Sequence, residues 1–395
     1  MFTFSGSIES SKSWMNRALI IQNYNPQIEI LGSSQSEDVK NLKSSIQSLK
    51  DGESEFFSGA GGTSLRFFSF LISRKPGLWK IRADQRLLER PQNELKHILN
   101  QLGVEVIFDV ACVTLKSSGW VLPKVVHCSG VNSSQFVSGL ILNSWQLPQD
   151  LVIELHKPIA SWDYLRMTIE MVKSLSLKME IIDTETVLQI KIFAMQEPLP
   201  LKPLQAEPDI SSAFALASAG VVAGHVHITG WPNQSLQPDF NFLNIFKKMG
   251  ILFESEKNSL QIQQQKTWNK AEENLKNTPD LFPVLSVLCA LGNGVSYLYG
   301  ADNLKAKESN RFFKTNELLN LCGFKTEIKN DGLVIFGKSS SSDKKTLLDF
   351  DPDQDHRMAM AAGLMKLAGF NVRIGNASVV SKSYPTFWKD IQVSV

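Results

Sequence analysis

Asp209-Ile210-Ser211-Ser212 runs straight into Ala213-Phe214-Ala215-Leu216-Ala217-Ser218-Ala219-Gly220-Val221-Val222-Ala223, and that stretch decides the fold. An Asp followed by two Ser reads as a helix start, and the residues after it offer no charged face. A helix apolar on every side belongs inside a domain. The same design recurs along the chain with helices that are almost wholly apolar or small. Ser11-Lys12-Ser13 precedes Trp14–Gln22, Gly61-Gly62-Thr63 precedes Ser64–Ser73, and Ser133-Ser134-Gln135 precedes Phe136–Asn143. Pro279-Asp280 precedes Leu281–Leu291, and Asp355-His356-Arg357 precedes Met358–Ala368. The first turn of a helix carries unpaired N–H groups and about half a positive charge. Buried helices that share their polar ends can aim them at one anionic ligand, which is the pattern of a phosphate-handling enzyme.

A second pattern lies between these helices. Asn93–Gly103, Leu165–Ser176, Phe240–Gly250 and Asn310–Gly323 each read as a helix ending at a turn, followed by a strand, a polar turn and another strand. The strand pairs are Val104–Phe108 with Val113–Lys116, Lys178–Ile182 with Val187–Lys191, Ile251–Ser255 with Leu260–Gln263, and Phe324–Lys329 with Leu333–Gly337. The turns recur roughly every 73 residues, too regularly for chance. Alternating helices and strands place the chain in the mixed α/β class. About six units fit the length, three in each half, grouped around buried helices. Gln205–Pro208 is the natural boundary between halves, and Ser339–Lys345 is a polar loop.

The composition, 395 residues with 43% hydrophobic and 20% charged, is that of an ordinary globular protein of two or three domains. Lys and Arg number 41 against 39 Asp and Glu, a net charge of +2, so bulk electrostatics predicts no nucleic-acid partner. No apolar run is long enough to span a bilayer, and the start MFTFSGSIESSKSW lacks the basic-then-apolar form of a signal peptide. The expectation is a cytoplasmic protein with no membrane partner. Cys112, Cys128, Cys289 and Cys322 are scattered in apolar or strand-like segments and read as free thiols. His225 and His227 alternate along a strand without an acidic or Cys neighbour, so they read as packing residues. No metal site and no cofactor are expected.

The cations gather at the polar motifs. Lys12 and Arg17 flank the start of the first buried helix, Arg66 lies on the second, and Arg86 opens Arg86-Leu87-Leu88-Glu89-Arg90-Pro91. Lys307 and Arg311 share one segment, Arg357 begins the last buried helix, and Lys382 begins Lys382-Ser383-Tyr384-Pro385. In a chain of balanced charge this clustering builds a local anion site, with Arg supplying bidentate grips and Lys point charges. Two acids stand among them. Asp280 lies at a helix start, and Glu308 falls between Lys307 and Arg311. An acid enclosed by cations can stay ionised and later exchange a proton with substrate.

These motifs resemble, in order and spacing, those of the 5-enolpyruvylshikimate-3-phosphate synthase family. The resemblance is carried by Ser11 through Leu19, Gly62 through Arg66, Arg86 through Pro91, Ser133-Ser134-Gln135, Glu207 through Ser212, Lys307-Glu308 with Arg311, Asp355-His356-Arg357 and Lys382. It covers nearly the whole chain. It implies a two-domain inside-out α/β barrel, each domain holding three βαβαββ repeats around buried helices. The first lobe would span 11–207 and the second 1–10 with 208–395, leaving one active-site cleft between them. The implied reaction moves the enolpyruvyl group of phosphoenolpyruvate to the 5-hydroxyl of shikimate 3-phosphate and releases phosphate. By position, Lys12, Ser13, Arg17, Ser133, Ser134, Gln135, Ser161, Tyr164, Asp280, Asn303 and Lys307 would hold shikimate 3-phosphate. Lys12, Gly62, Arg86, Gln135, Arg311, Arg357 and Lys382 would hold phosphoenolpyruvate. Asp280 would be the base toward the hydroxyl and Glu308 the proton donor to the methylene carbon, with Lys12 or Lys382 stabilising the leaving phosphate. The resemblance further implies a monomer that closes on its substrates, hinged near Ser10 and Glu207.

The chain departs from the family pattern at four places, one of them Asn310 where Asp is usual. Ala60 stands where Asn is usual, Phe67 where Pro is common, and Ser161-Trp162-Asp163-Tyr164 where Ser-Lys-Pro-Tyr is usual. Gly62 is retained, which predicts inhibition by glyphosate. Two rival readings are the sister UDP-N-acetylglucosamine enolpyruvyl transferase and a non-catalytic binding relative. The sister family places a Cys in a mobile loop, and neither Cys112 nor Cys128 has that loop's neighbours. The joint presence of Lys12, Asp280, Glu308, Arg357 and Lys382 speaks against lost catalysis.

Overall fold

The computed structural model describes residues 1–300, 304–305, 307–338, 340–341 and 343–395. The chain divides into two compact units, one of Ser10–Ala206 and one of Met1–Glu9 with Glu207–Val395.

In the Ser10–Ala206 unit the helices Lys12–Tyr24, Gly62–Ser73 and Gln135–Leu142 pack on one another in pairs. Their residues are buried nearly throughout, including Ile20, Phe67, Phe68 and Leu140. Two four-stranded sheets surround them. One runs Glu55–Phe57, Gly77–Arg82, Cys112–Ser117, Glu105–Phe108 in spatial order, and the other Val126–Ser129, Leu151–His156, Val187–Ile192, Met179–Asp183. In both, the first two strands are parallel and the last two form an antiparallel pair. Parallel neighbours need a crossover, and here the crossover is the buried helix. The amphipathic helices Asn93–Gln101 and Trp162–Ser174 lead into the antiparallel pairs.

The other unit repeats the plan with the buried helices Ile210–Ala223, Phe282–Leu291 and His356–Leu367, again packed pairwise. Its four-stranded sheets are Phe2–Ser7, Gly224–Trp231, Asn258–Gln263, Phe253–Glu256 and Glu272–Asn274, Val295–Tyr299, Gly332–Phe336, Thr326–Lys329. Phe2–Ser7 comes from the far end of the chain to pair in parallel with Gly224–Trp231. Leu204–Gln205 likewise returns to pair with Ile30–Leu31 in the first unit.

The strand–helix alternation is complete in four sheets and shortened in two. Among the described residues Ile30–Leu31 pairs only with Leu204–Gln205, and Leu348–Phe350 only with Val372–Ile374. After Ile30–Leu31 the chain enters the helix Glu37–Lys50 and passes directly into the next sheet, and after Val372–Ile374 it ends in short helical turns. Among the described residues no strand pair follows in either place.

The polar motifs turn out to be the first turns of the buried helices rather than leads into them. Ser11, Asp209 and Asp355 are the caps, so Lys12, Ile210 and His356 are the first helical residues. Asp209 accepts from the Ser212 N–H at 2.8 Å, which satisfies one orphan donor. Pro279–Leu281 forms a short 3-10 turn ahead of Phe282–Leu291. Cys128, Cys289 and Cys322 are buried free thiols and Cys112 is half-buried. His227 meets Ser5 Oγ through Nδ1 at 3.3 Å. Among the described residues no helix is long and apolar enough to cross a membrane, and no group of three His, Cys, Asp or Glu could hold a metal.

Candidate active site

In the Glu207–Val395 unit one guanidinium organises three carboxylates. Arg311, only 1% exposed, donates from Nε to Asp355 Oδ2 at 2.7 Å, from Nη1 to Asp280 Oδ1 at 2.7 Å, and from Nη2 to Glu308 Oε2 at 3.0 Å. Each acid has a further partner. Lys382 Nζ reaches Glu308 Oε1 at 2.9 Å, while Lys307 Nζ and Arg357 Nη2 each lie 3.7 Å from Asp280. Asp355 caps its own helix through the Arg357 N–H and accepts from Ser309 Oγ at 3.0 Å. Burial raises the Asp280 carboxyl, but Lys307, Arg311 and Arg357 outweigh it and hold the group well below its ordinary 3.8. Burial pulls the Arg311 guanidinium down, and Asp355, Glu308 and Asp280 more than reverse that. Arg357 is buried, and its Nε has no hydrogen-bond partner among the described residues. Arg357 therefore keeps donor capacity for an anionic ligand.

A fourth acid was not singled out from sequence. Asp239 is 2% exposed and accepts a short hydrogen bond from Ser211 Oγ at the start of the Ile210–Ala223 helix. Burial and then the charge of Asp280 push its carboxyl up to about 7, against the pull of Arg357. Two acids in one cluster are thus driven in opposite directions, the pattern that separates proton holders from ionised acceptors. The folded state holds this proton more tightly than the unfolded chain, so stability falls as pH rises from about 4 to about 7 and levels off above. Asp239→Asn removes that fall. Its free energy of unfolding should exceed that of the parent by about 4 kcal/mol at pH 8 and converge with it toward pH 4. Melts that stay parallel across that range would contradict the assignment.

The Ser10–Ala206 unit carries the second cluster. Lys12, the first residue of its helix, pairs with the buried Asp38 at 3.1 Å. Arg17 is turned into the protein. Its Nε donates to Thr168 Oγ1 at 2.7 Å, Nη1 to the Ser13 carbonyl at 2.7 Å and Nη2 to the Tyr164 carbonyl at 3.1 Å. Burial lowers this guanidinium to about 10, with Tyr164 opposing. Arg17 thereby ties together the two helix starts that bear Ser13 and Tyr164, and three of its five donors are spent in doing so.

Gly62 begins its helix, and a Cβ placed there would lie 3.1 Å from Arg90 Nη1. The cation beside Gly62 is therefore Arg90, whereas Arg86 stands half-exposed on the short helix Gln85–Glu89, 3.7 Å from Glu89. Gln135, first in its helix, donates its backbone N–H to Ser133 Oγ at 3.2 Å, and Ser134 is the buried cap. Its amide accepts from Arg66 Nη1 at 2.6 Å and donates to Thr63 Oγ1 at 2.9 Å. Ser161 caps the helix Trp162–Ser174 with φ +54°, a left-handed backbone that Ser rarely adopts.

Asp280, Lys307, Glu308, Arg311, Arg357 and Lys382 thus converge in one unit. Lys12, Ser13, Arg17, Ser161 and Tyr164 belong to the other, together with Gly62, Arg86, Ser133, Ser134 and Gln135. Asn303 lies outside the described residues. Asp38, Arg90 and Asp239 were missed. Asp38 reads as an acid in the first turn of the Glu37–Lys50 helix, which the helix dipole alone accounts for.

A family model described as EPSP synthase (3-phosphoshikimate 1-carboxyvinyltransferase) matches residues 26–391. The 3-phosphoshikimate 1-carboxyvinyltransferase of Methanocorpusculum labreanum is 31% identical over 84% of this chain and 76% of its own length. That of Dehalococcoides mccartyi is 29% identical over 98% of this chain and 94% of its own. Among solved structures, an EPSP synthase from Acinetobacter baumannii superposes with a TM-score of 0.74 at 19% identity, covering 99% of this chain and 95% of that one. The enolpyruvyl transferase NikO from Streptomyces tendae gives 0.70 at 15% identity, covering 98% and 94%. These likenesses show the fold, the two-domain inside-out α/β fold of EPSP synthases. With nearly its whole length matched, the chain belongs to the EPSP synthase (3-phosphoshikimate 1-carboxyvinyltransferase) family.

Proposed function

We propose that the two clusters together serve the reaction of this family, transfer of the enolpyruvyl group of phosphoenolpyruvate to the 5-hydroxyl of shikimate 3-phosphate with release of phosphate. The observation that carries this reading is the set of acids held around Arg311, with Lys307, Arg357 and Lys382 beside them. Each substrate brings a phosphate and a carboxylate, and a site of Arg and Lys side chains answers that charge. In this reading Lys12, Ser13, Arg17, Ser133, Ser134, Gln135, Ser161, Tyr164, Asp280, Asn303 and Lys307 hold shikimate 3-phosphate. Lys12, Gly62, Arg86, Gln135, Arg311, Arg357 and Lys382 hold phosphoenolpyruvate. The catalytic unit is a single chain in the cytoplasm acting on small molecules.

Glu308 gives a proton to the methylene carbon of phosphoenolpyruvate, and the neighbouring carbon gains cation character. The 5-hydroxyl oxygen attacks that carbon while Asp280 accepts its proton. The tetrahedral intermediate then loses a proton from the new methyl group and expels phosphate, restoring the carbon–carbon double bond. Lys12 and Lys382 stabilise the charge on the leaving group. Without ligand, Lys307, Arg311 and Arg357 make Asp280 a weak base. Phosphate and carboxylate oxygens compete for those cations and add negative charge nearby, so substrate binding itself makes Asp280 more basic. The pH profile of kcat should therefore show a higher acidic limb than free Asp280 would give.

Phosphate release from phosphoenolpyruvate with shikimate 3-phosphate, set against UDP-N-acetylglucosamine as acceptor, tests the reading. Turnover with the sugar nucleotide alone, or with neither, would reject it. Glyphosate at millimolar levels should lower turnover, and Gly62→Ala should weaken that inhibition because the added methyl group crowds the space beside Arg90. Unchanged turnover of the parent enzyme at that level would contradict the role given to Gly62.

A further inference from the structure

Arg66 is assigned to neither substrate, yet it is 3% exposed and joins three of the segments that carry substrate residues. Its Nη1 donates to Gln135 Oε1 at 2.6 Å, its Nε to Gln92 Oε1 at 3.1 Å, and its Nη2 to the Pro91 carbonyl at 3.4 Å. The guanidinium lies over the Phe136 ring at 4.4 Å, which holds its plane. Gln92 passes the constraint on by donating to the Leu87 carbonyl at 3.1 Å.

We propose that Arg66 is a positioning residue that fixes the Gln135 side chain as a donor, so that Gln135 can take only an acceptor oxygen of substrate. The proposal rests on the reading that Gln135 touches substrate. A Gln amide can normally present either its oxygen or its NH2 to a ligand. A guanidinium has donors and no acceptor, so the group facing Arg66 must be the oxygen. The NH2 then faces Thr63 Oγ1 at 2.9 Å, and its second hydrogen has no partner among the described residues. That N–H is what the amide can offer to a phosphate or carboxylate oxygen. The same guanidinium ties Pro91 and Gln92, and through Gln92 Leu87, to the Gly62–Ser73 helix. One buried cation thus coordinates the helix start at Gly62, the amide of Gln135 and the strap bearing Arg86 and Arg90.

Steady-state kinetics of the full chain decide it, with Arg66→Met, Arg66→Lys, Gln135→Ala, Gln135→Glu and the double variant Arg66→Met/Gln135→Ala. Arg66→Met and Gln135→Ala should each raise the KM of the same substrate about tenfold, and the double variant should be no worse than either. Arg66→Lys, which can still donate to the amide oxygen, should lie closer to the parent. Gln135→Glu should be worse than Gln135→Ala, because it sets a negative charge against an anionic ligand. Multiplicative effects in the double variant would overturn the proposal, as would an unchanged KM in Arg66→Met alongside a raised one in Gln135→Ala. If Gln135→Ala leaves both KM values unchanged, the assignment of Gln135 to substrate falls instead. Should Arg66→Met fail to fold, Thr63→Val with and without Gln135→Ala replaces it. Thr63→Val should raise the same KM about threefold and add nothing in the Gln135→Ala background. A multiplicative effect there would overturn the proposal equally.

Discussion

Arg311→Met is expected to lower the stability of the protein by about 3–5 kcal/mol, the cost of stripping the partner from buried charge. Arg311 serves Asp280, Glu308 and Asp355 at once, and Asp355 is fully buried. Without the guanidinium, Asp355 keeps Ser309, a backbone N–H and, at 3.8 Å, the His356 ring, which satisfy an ionised carboxylate poorly. Asp280 keeps Lys307 and Arg357 at 3.7 Å, and Glu308 keeps Lys382. The defect should therefore centre on Asp355 and the helix it caps. Arg311→Lys is expected to rescue little, since one ammonium cannot reach three acids from three nitrogens. Urea denaturation at pH 7 measures the loss. The gap should narrow as pH falls toward 4, where the abandoned carboxylates take up protons. A variant within about 0.5 kcal/mol of the parent would show that the acids hold themselves in place by other means.

Glu308→Gln is expected to lower kcat by about 10²–10⁴-fold, the range for loss of a general acid, at a cost in stability of about 1–3 kcal/mol for the pair it gives up. The amide oxygen can still accept from Lys382, but the NH2 then faces Arg311 Nη2, so the cluster loses one charge-assisted hydrogen bond. What disappears is a transferable proton beside the methylene carbon. Incorporation of solvent deuterium into phosphoenolpyruvate in the presence of shikimate 3-phosphate isolates this step from product release. The variant should lose incorporation along with turnover. Deuterium entering at the parent rate would move the proton-donor role away from Glu308, with Lys12 and Lys382 the next residues to test.

Local patterns in the chain carry the elements because their causes are local. Helix periodicity, caps such as Asp209 and Asp355, and turns at Gly103, Gly250 and Gly323 all act within a few residues. The strand pairs read from sequence fall within a residue or two of those observed, as Val187–Lys191 against Val187–Ile192 shows. Helix starts were read late because the polar motif is itself helical, capped by the residue before it. The two shortened sheets were not legible, since two-residue strands such as Ile30–Leu31 carry no periodic signal.

The sequence by itself determined the class of fold, the buried helices with polar first turns, the family, and the list of cations and acids at those turns. Only the tertiary structure decided which charge meets which. Lys382 finds Glu308 across 74 residues, and Arg17 finds Thr168 across 151. It also set Arg90 beside Gly62 and placed Asp239 where the charge of Asp280 acts on it. The reason is physical: electrostatic and hydrogen-bond energies depend on distance and burial in space, and chain spacing records neither.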